Sequence, residues 1–368
     1  MGKRLGIDFG STKSCAFFVD EYSMPRIVGN IEGGMFTLSS VLFDATMKEF
    51  IVGQVAEQEG VLHPENLVRC IKRHLGDFKY TIEFNGKSYS SKDIAYLIIK
   101  KLISDAEFFF ADEEIEGVVL SCPTCWDTAR RENLISAAKS VITKFDKPLN
   151  VIDVITDVEA ISIAYVNSWC CSNQKTVLIY DLGGGAFDTA VVKLDAIGEK
   201  KNIDILTYGG DPYLGGLNWD HALESYVLQE YCKRTGDNEK EFWNNEDYLC
   251  YSQKINGTKR ALSSKTSAKI IASFNGHNET IEVTRDAFEA ETEHLLSETI
   301  RIIDEMMRNS KLTIKNNIDE IILVGAASKM PQVRRRLQEK YSMPIILFEP
   351  EFAVAKGAAI VANDIIAT

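Results

Sequence analysis

The sequence predicts an α/β protein made of two related halves, and three observations support this class. Segments with the apolar pattern of strands alternate with segments of helical periodicity along the whole chain. A strand, a turn of the form Asp-x-Gly and a second strand occur twice, near residues 4–19 and 177–192. The 368 residues are sufficient for two domains, each with its own core.

Composition and charge exclude several classes of function. The hydrophobic fraction of 45% and the charged fraction of 26% are typical of a globular protein. A net charge of −12 and a pI near 5.1 argue against a nucleic-acid or anionic-membrane partner. No signal-length apolar segment follows Met1, no apolar run has the length of a membrane span, and the eight cysteines are scattered, several within apolar runs. We therefore expect a cytoplasmic protein with reduced thiols.

The first half is expected to contain strands and helices in alternation after its hairpin. The predicted strands lie at residues 39–53, 116–120 and 151–155. The predicted helices lie at residues 63–75, where a turn leads into a helix bearing Lys72, at 93–110, at 128–143 with Asp127 or Thr128 as cap, and at 157–166.

The second half repeats this plan after a polar break at residues 168–174. The predicted elements are the second hairpin, a loop at 211–216, a helical insert, a strand pair around 268–283, a helix at 285–307, a strand at 320–324, a turn at 325–328, and two helices opened by Pro331 and Pro350.

The two hairpins together predict a phosphate clamp. Glycines follow Asp8 and Asp181, and glycine lets a backbone approach a phosphate and direct N–H groups at it. The acid of each hairpin can hold a hydrated hard cation that bridges to the phosphate. Magnesium-bound nucleotide is the simplest ligand that fits both features. Either turn alone reads equally well as an ordinary β-hairpin, but a matched pair is much harder to dismiss.

A further polar set lies on one face of a predicted helix. Asn256, Lys259, Arg260 and Ser263 fall at positions i, i+3, i+4 and i+7. Such a face can bind a ribose and a purine, although the pattern alone favours a face exposed to solvent. Gly325 stands between a strand and a helix, where backbone N–H groups meet ligands in α/β folds.

Cys122 and Cys125 have the Cys-x-x-Cys spacing of a redox pair. The thioredoxin-like context that such a pair requires is absent from the sequence. We therefore interpret the two cysteines as part of a structural turn.

Eight ordered motifs carry a resemblance to the DnaK-type chaperones. In chain order they are Gly6-Ile7-Asp8-Phe9-Gly10-Ser11-Thr12, residues 68–76 with their Lys-Arg pair, residues 155–165, residues 178–188, Leu214-Gly215-Gly216, Lys259-Arg260-Ala261-Leu262-Ser263-Ser264, Leu323-Val324-Gly325 and Ala353-Val354-Ala355-Lys356-Gly357-Ala358-Ala359. Over essentially its whole length the chain is similar to the nucleotide-binding domain of the heat shock protein 70 family, in the actin-like ATPase superfamily.

The resemblance implies an α/β fold of two RNase H-like lobes with nucleotide in the central cleft. Lobe I would span residues 1–170 with an inserted subdomain at about 38–112. Lobe II would span residues 171–368 with an inserted subdomain at about 215–292.

The resemblance also implies roles for individual residues. Asp8 and Asp181 would hold Mg²⁺ through water, Lys72 would orient the attacking water and stabilise charge on the γ-phosphate, and Asp157 would stand in for a catalytic glutamate. The expected phosphate-binding positions are Gly10, Ser11, Thr12, Lys13, Gly183, Gly184 and Gly185. The remaining expected nucleotide-binding positions are Gly216, Asn256, Lys259, Arg260, Ser263, Gly325 and Lys329.

The sequence departs from the family at four places near the expected site. They are Lys13 for an aromatic or amide residue, Asp157-Val158-Glu159 for Glu-Pro-Thr, Ala186 for threonine, and Gly325-Ala326-Ala327-Ser328-Lys329 for Gly-Gly-Ser-Thr-Arg. The second change removes a proline thought to relay the nucleotide state. The last loses a guanidinium that can stack on adenine. The ammonium of Lys13 can reach a phosphate or lie in solvent.

The implied function is that of an ATP-binding, slowly ATP-hydrolysing and Mg²⁺-dependent domain of a chaperone, whose nucleotide state controls lobe closure and partner or peptide binding. ATP or ADP and Mg²⁺ are the expected cofactors, with K⁺ as a further cation. A J-domain protein and a nucleotide exchange factor are the expected partners, and the peptide-binding domain is expected to be absent from this sequence. A non-hydrolysing regulatory module that docks a partner stays open, and a sugar-kinase-like phosphotransferase is disfavoured because no sugar-site signature occurs.

Overall fold

A computed structural model describes residues 2–169, 173–196, 201–238, 248–274 and 277–365. The strands of the first half are β1 (Lys3–Asp8), β2 (Lys13–Val19), β3 (Pro25–Val28), β4 (Thr37–Leu38), β5 (Val41–Asp44), β6 (Glu49–Val52), β7 (Leu67–Val68), β8 (Thr81–Phe84), β9 (Lys87–Ser90), β10 (Ile115–Cys122) and β11 (Val151–Thr156). Its helices are α1 (Gln54–Glu59), α2 (Ser91–Phe109), α3 (Thr128–Lys139) and α4 (Asp157–Asn167), with 3₁₀ turns at Pro64–Asn66 and Ile71–His74.

The strands of the second half are β12 (Gln174–Leu182), β13 (Phe187–Asp195), β14 (Asn202–Asp211), β15 (Ser267–Phe274), β16 (His277–Thr284), β17 (Glu320–Val324) and β18 (Ile345–Leu347). The described helices are α5 (Gly216–Thr235), α6 (Tyr248–Leu262), α7 (Arg285–Asn309), α8 (Ile314–Asn317), α9 (Pro331–Tyr341) and α10 (Ala353–Asp364), with a 3₁₀ turn at Ala326–Lys329.

The two main sheets have the same topology, which confirms the duplication predicted from the repeated hairpin. The first has the strand order β11-β10-β1-β2-β3, with β4 paired to β2, and the second has the order β14-β13-β12-β17-β18. In each sheet an antiparallel meander of three strands is continued by two parallel strands. The hairpins β1/β2 and β12/β13 therefore occupy equivalent positions in the two halves.

Two helices, α4 and α10, form a core that includes residues from both sheets. Its buried side chains include Val119 of β10, Ile179 of β12 and Ile161 of α4. The helices cross closely, because a Cβ at Gly357 would lie 1.9 Å from the carbonyl oxygen of Ala160. This core packs strands of the two sheets against the same pair of helices and so holds the two halves together.

The last helix belongs in space to the first sheet. Chain order assigns it to lobe II, yet α10 packs against α4, β1 and β2, and the backbone of Ala359 leaves no room for a Cβ at Gly6. The chain therefore crosses back to the first half between β18 and α10. The division into lobes and inserted subdomains stays a prediction.

Three predicted helix bounds are wrong. Lys72 lies in a four-residue 3₁₀ turn, because Cys70 before it has a left-handed backbone (φ 57°). The helix predicted to reach residue 143 ends at Lys139, since the backbone N–H of Thr143 bonds instead to the carbonyl of Lys147. Pro350 does not open the last helix, because Glu349 has a positive φ of 40° and the chain turns before α10 begins.

The structure confirms the other predicted strands and helices that fall on described residues, with bounds that shift by a few residues. The polar break predicted at residues 168–174 lies partly outside the described residues. None of the helices in the described ranges is both long enough and apolar enough to cross a bilayer.

Candidate functional site: the cleft between the two hairpins

The glycine turns that follow β1 and β12 both line one open cleft. A Cβ at Gly184 would come within 2.5 Å of the hydroxyl of Thr12, and one at Gly185 within 2.4 Å of the Cβ of Ser11. Glycine permits this approach because it has no side chain. The two turns belong to different halves, so their contact brings the paired hairpins together as the sequence predicts.

Four aspartates line the cleft beneath the turns: Asp8 at the end of β1, Asp157 at the start of α4, Asp181 near the end of β12 and Asp188 on β13. Asp181 and Asp188 are direct partners in the register of β12 and β13. Like charges placed opposite each other destabilise a strand pair. This arrangement is stabilised when a cation binds or when protons are retained.

Burial raises the pKa of three of these carboxyl groups and is the largest cause in each case. The pKa of Asp8 rises to about 6, that of Asp188 to about 7, and that of Asp181 lies well above its ordinary value. The carboxylate of Asp157 raises all three further, while the ammonium of Lys72 lowers them. The site therefore holds acidic groups that lack solvation and favour a bound cation.

Lys72 is the buried cation among these acids. Its Nζ lies 3.8 Å from Oδ2 of Asp157 and 5.6 Å from the ring centroid of Trp126. Burial lowers the pKa of its ammonium, but the charges of Asp157 and Asp8 raise it by more, so the net pKa is raised. Lys72 is therefore charged at neutral pH.

The start of α4 presents Asp157 to the cleft. Thr156 and Glu159 form a capping box, in which the hydroxyl of Thr156 accepts from the N–H of Glu159 and the carboxylate of Glu159 accepts from the N–H of Thr156. Because Glu159 is occupied in the cap, Asp157 is the acid of this first turn that faces Lys72. Its Oδ1 is buried and has no hydrogen-bond partner among the described residues.

A hydrated cation fits this donor set. Within the described ranges, no three His, Cys, Asp or Glu side chains converge closely enough to ligate an ion directly. Carboxylates with raised pKa values and the unpartnered Oδ1 of Asp157 can still accept hydrogen bonds from the water shell of a hard cation. Asp8 and Asp181 would then hold the ion through water.

Gly325 closes one wall of the cleft behind β17. It has a φ of 82°, and a Cβ there would lie 2.2 Å from the carbonyl oxygen of Leu182 and 2.5 Å from Oδ1 of Asp181. Only glycine fits this position. The close packing holds Asp181 against the end of the neighbouring parallel strand.

Lys13 forms an ion pair beside the cleft, and its contact with a phosphate stays a prediction. Its Nζ is 2.7 Å from Oε1 of Glu351 and 3.8 Å from the ring centroid of Phe36, at the edge of the cleft. Lys329 contacts the same carboxylate, with Nζ 3.1 Å from Oε2. The Phe36 ring in turn stacks on Phe352 at 5.1 Å.

Twelve of the eighteen predicted site residues line the cleft, and six do not. Those that line it are Asp8, Gly10, Ser11, Thr12, Lys13, Lys72, Asp157, Asp181, Gly183, Gly184, Gly185 and Gly325. Those that do not line it are Gly216, Asn256, Lys259, Arg260, Ser263 and Lys329.

Contacts within the second half account for several of the residues left out. The buried Nζ of Lys259 donates to the carbonyl of Gly216 at 2.8 Å and lies 2.9 Å from Asp220. The amide of Asn256 bonds to the same carboxylate at 3.1 Å. These bonds hold α6 against the start of α5.

Arg260 is exposed, and Ser263 follows the last residue of α6, so the expected helix face is shorter than its periodicity suggests.

Sequence reasoning missed seven charged or aromatic residues that line the cleft, namely Phe36, Arg73, Trp126, Arg130, Asp188, Glu351 and Phe352. Asp188 could have been found by counting the register of the second hairpin, because the turn of residues 183–186 places it opposite Asp181. The other six carry no such local signal.

The interpretation of Cys122 and Cys125 as structural is supported by their environment. Burial is the largest cause that raises the pKa of each thiol to about 12. A reactive redox pair requires a depressed thiol pKa.

Comparison with known proteins agrees with the resemblance found in the motifs. The family model described as Hsp70 protein matches residues 4–367. A "Chaperone protein DnaK" from Halobacterium salinarum is 31% identical over 369 residues, which cover 97% of this chain and 55% of that protein. The protein of the same name from Thermotoga neapolitana is 31% identical over 368 residues, which cover 97% of this chain and 58% of that protein.

The chain thus spans a little over half the length of the curated relatives that it matches. The family match covers nearly every residue, and the duplicated sheets with a cleft between them are the architecture expected from it. The chain belongs to the Hsp70 family, with the actin-like ATPase fold of that family's nucleotide-binding domain.

Proposed function

We propose that the cleft binds ATP or ADP with Mg²⁺ and hydrolyses ATP slowly. The observation that supports this most directly is the convergence of two glycine turns and one acid from each hairpin on the buried Lys72. Backbone N–H groups in such turns suit phosphate oxygens. Membership in the Hsp70 family supports the same chemistry.

In this proposal the acids and the lysine have different roles at the phosphates. Asp8 and Asp181 hold the hydrated cation, which neutralises phosphate charge when bound. Lys72 orients the attacking water and stabilises the charge that develops on the γ-phosphate. Asp157 contributes by keeping the Lys72 ammonium charged.

Two features support a slow rate. The 3.8 Å separation between Lys72 and Asp157 exceeds hydrogen-bond length, so the ammonium is held loosely. Ala186 in the second turn offers no hydroxyl to the phosphate or to water. A displacement of about 1 Å can cost on the order of a hundredfold in rate.

The nucleoside side of the proposal rests on Gly325 in the cleft wall. Gly216 is joined to the second glycine turn, since its N–H donates to the carbonyl of Gly183 at 2.9 Å. We propose that closure of the lobes around the nucleotide brings adenosine to Gly216, Asn256, Lys259, Arg260, Ser263 and Lys329. Their contact with nucleotide depends on that movement.

The wider role follows from the relatives, which are named as chaperones. In this proposal the bound nucleotide sets how far the lobes close, and closure controls the binding of a peptide or partner. A J-domain protein and a nucleotide exchange factor are the proposed partners, and K⁺ is a further proposed cation.

Calorimetric binding of ATP and ADP with and without Mg²⁺, followed by quench-flow single turnover, tests the proposal. Asp8→Asn and Asp181→Asn should each weaken Mg²⁺-nucleotide binding, and Lys72→Ala should abolish hydrolysis while nucleotide still binds. Asp146→Asn is a matched control, because Asp146 is exposed and asparagine tolerates its positive φ. Wild-type binding in both aspartate variants would refute the clamp, and bound ATP without turnover would refute the ATPase.

A further inference from the structure

Arg73 follows Lys72 in the same 3₁₀ turn and reaches from the first half into the second. Its Nε and Nη2 donate to the carbonyl oxygen of Gly185 at 3.0 and 2.8 Å. Nη2 also lies within hydrogen-bond distance of the carbonyl of Tyr213, at 3.0 Å, and of Oδ1 of Asn218, at 3.2 Å. All three acceptor residues belong to the second half.

The acceptors of Arg73 form one connected unit. Oδ1 of Asn218 also accepts from the N–H of Gly215, at 2.9 Å, at the start of α5. The first turn of α5 bonds to the glycine turn through the N–H of Leu217 and the carbonyl of Gly184, at 2.9 Å. A displacement of Arg73 therefore acts on the glycine turn, the loop before α5 and the helix start together.

Arg73 and Lys72 point to different parts of the same cleft. Lys72 faces the acids beneath the turns, and Arg73 faces the carbonyl of the second turn. Both side chains leave the four-residue segment Ile71–His74, so their spacing is fixed by a short piece of backbone. While Arg73 holds Gly185, the backbone that carries Lys72 is held beside the second glycine turn.

We propose that Arg73 is a positioning residue that aligns the second glycine turn with Lys72 for hydrolysis. The proposal rests on the proposed ATPase function and implies that hydrolysis requires contact between the two halves. The contacts to Gly185, Tyr213 and Asn218 all cross between the halves, so they are lost together when the halves separate. A planar guanidinium suits this set of acceptors, and an ammonium does not reproduce its fork.

Single-turnover hydrolysis at saturating ATP provides the first test. Arg73→Ala and Arg73→Gln should lower the rate on the order of a hundredfold, as expected for a misplacement of about 1 Å, while the Kd for ATP changes much less. Arg73→Lys should recover little of the loss, and added guanidinium ion should restore part of the rate to Arg73→Ala whereas ammonium should not. Arg26→Ala, at an exposed arginine paired with Asp20, is the control.

Amide hydrogen exchange without nucleotide provides a test that does not depend on turnover. Residues 183–188 and 211–218 should exchange faster in Arg73→Ala and Arg73→Gln than in the wild type. If the wild type binds but does not hydrolyse ATP, the ATPase proposal fails and the exchange comparison alone decides whether Arg73 positions the turn. Wild-type rates in the Arg73 variants, or unchanged exchange at these segments, would overturn the inference.

Discussion

The Nζ of Lys13 lies 2.7 Å from Oε1 of Glu351, although 338 positions separate the two residues in the chain. Lys13 begins β2 of the first sheet, and Glu351 lies where the chain crosses from β18 to α10. The second carboxylate oxygen contacts Lys329 of the second half. Burial raises the pKa of Glu351, but the two lysines lower it by more, so the carboxylate is charged and links the halves beside the cleft.

A double-mutant cycle tests this link. Both side chains are about a quarter exposed, at 26% and 23%, so we expect a coupling free energy of unfolding of about 0.5–1 kcal/mol between Lys13→Met and Glu351→Gln. Urea denaturation of the two single variants and the double variant measures it. A bound phosphate competes for Lys13, so saturating ADP with Mg²⁺ should reduce the coupling. Zero coupling in the free protein would show that the ion pair contributes nothing to stability.

The sequence predicted those site residues whose positions depend only on the strand and turn in which they lie. Asp8 and Asp181 each end the first strand of a hairpin, and the duplication of the hairpin implies that both face one cleft. Glu351 could not be predicted in the same way, since its contacts depend on how the last helix returns to the first sheet. Helical spacing likewise placed Lys259 and Asn256 on one face without showing that this face contacts Gly216 and Asp220.

The raised pKa of Asp188 predicts a pH-dependent loss of stability in the nucleotide-free protein. The folded state keeps this proton up to about pH 7, whereas the ordinary value for the unfolded chain is 3.8. Between these values the folded state binds more protons, so the free energy of unfolding falls as pH rises. Asp188→Asn should therefore be more stable than the wild type at pH 8, by roughly 1–4 kcal/mol.

Chemical denaturation in the presence of a chelator and without nucleotide measures this difference at pH 8 and pH 4.5. The difference should shrink as pH falls toward 4, because the folded wild type is then protonated and the unfolded chain approaches its own pKa of 3.8. Asparagine keeps the acceptor for the N–H of Thr124, which lies 3.1 Å from Oδ1 of Asp188. A difference that does not change with pH would show that the Asp188 charge is not its cause.

We expect weak nucleotide binding, because Ala326 and Lys329 differ from the family's residues on the proposed nucleoside side of the cleft. Two substitutions should strengthen the binding. Ala326 lines the cleft, and Lys329 is 43% exposed with its ammonium held by Glu351. Ala326→Gly removes a methyl group from the wall, and Lys329→Arg supplies a planar group that can pair with Glu351 and stack on a base. Together they should tighten ATP binding by about tenfold, which corresponds to about 1.4 kcal/mol.

Titration calorimetry with adenosine alone separates this effect from phosphate binding. Because both changes lie on the proposed nucleoside side, adenosine should gain about as much affinity as ATP. A gain for ATP without a gain for adenosine would place Lys329 at the phosphates instead. Lys340→Arg on the surface of α9 serves as the matched control.

The rate of hydrolysis should increase when Asp157 and Ala186 are changed to the glutamate and threonine that the family has at these positions. Oδ1 of Asp157 has no hydrogen-bond partner in the described ranges, and Oδ2 lies 3.8 Å from Nζ of Lys72. Glutamate adds the methylene that can shorten this gap. Ala186→Thr adds a hydroxyl to the turn without disturbing its backbone bond, in which the carbonyl of Ala186 accepts from the N–H of Gly183 at 3.0 Å. We expect Asp157→Glu with Ala186→Thr to raise the single-turnover rate by about tenfold or more.

Asp157→Asn is the opposing control and should lower the rate, because it removes the charge that supports the Lys72 ammonium. A double variant no faster than the wild type, with ATP bound equally well, would mean that the position of Lys72 does not limit hydrolysis.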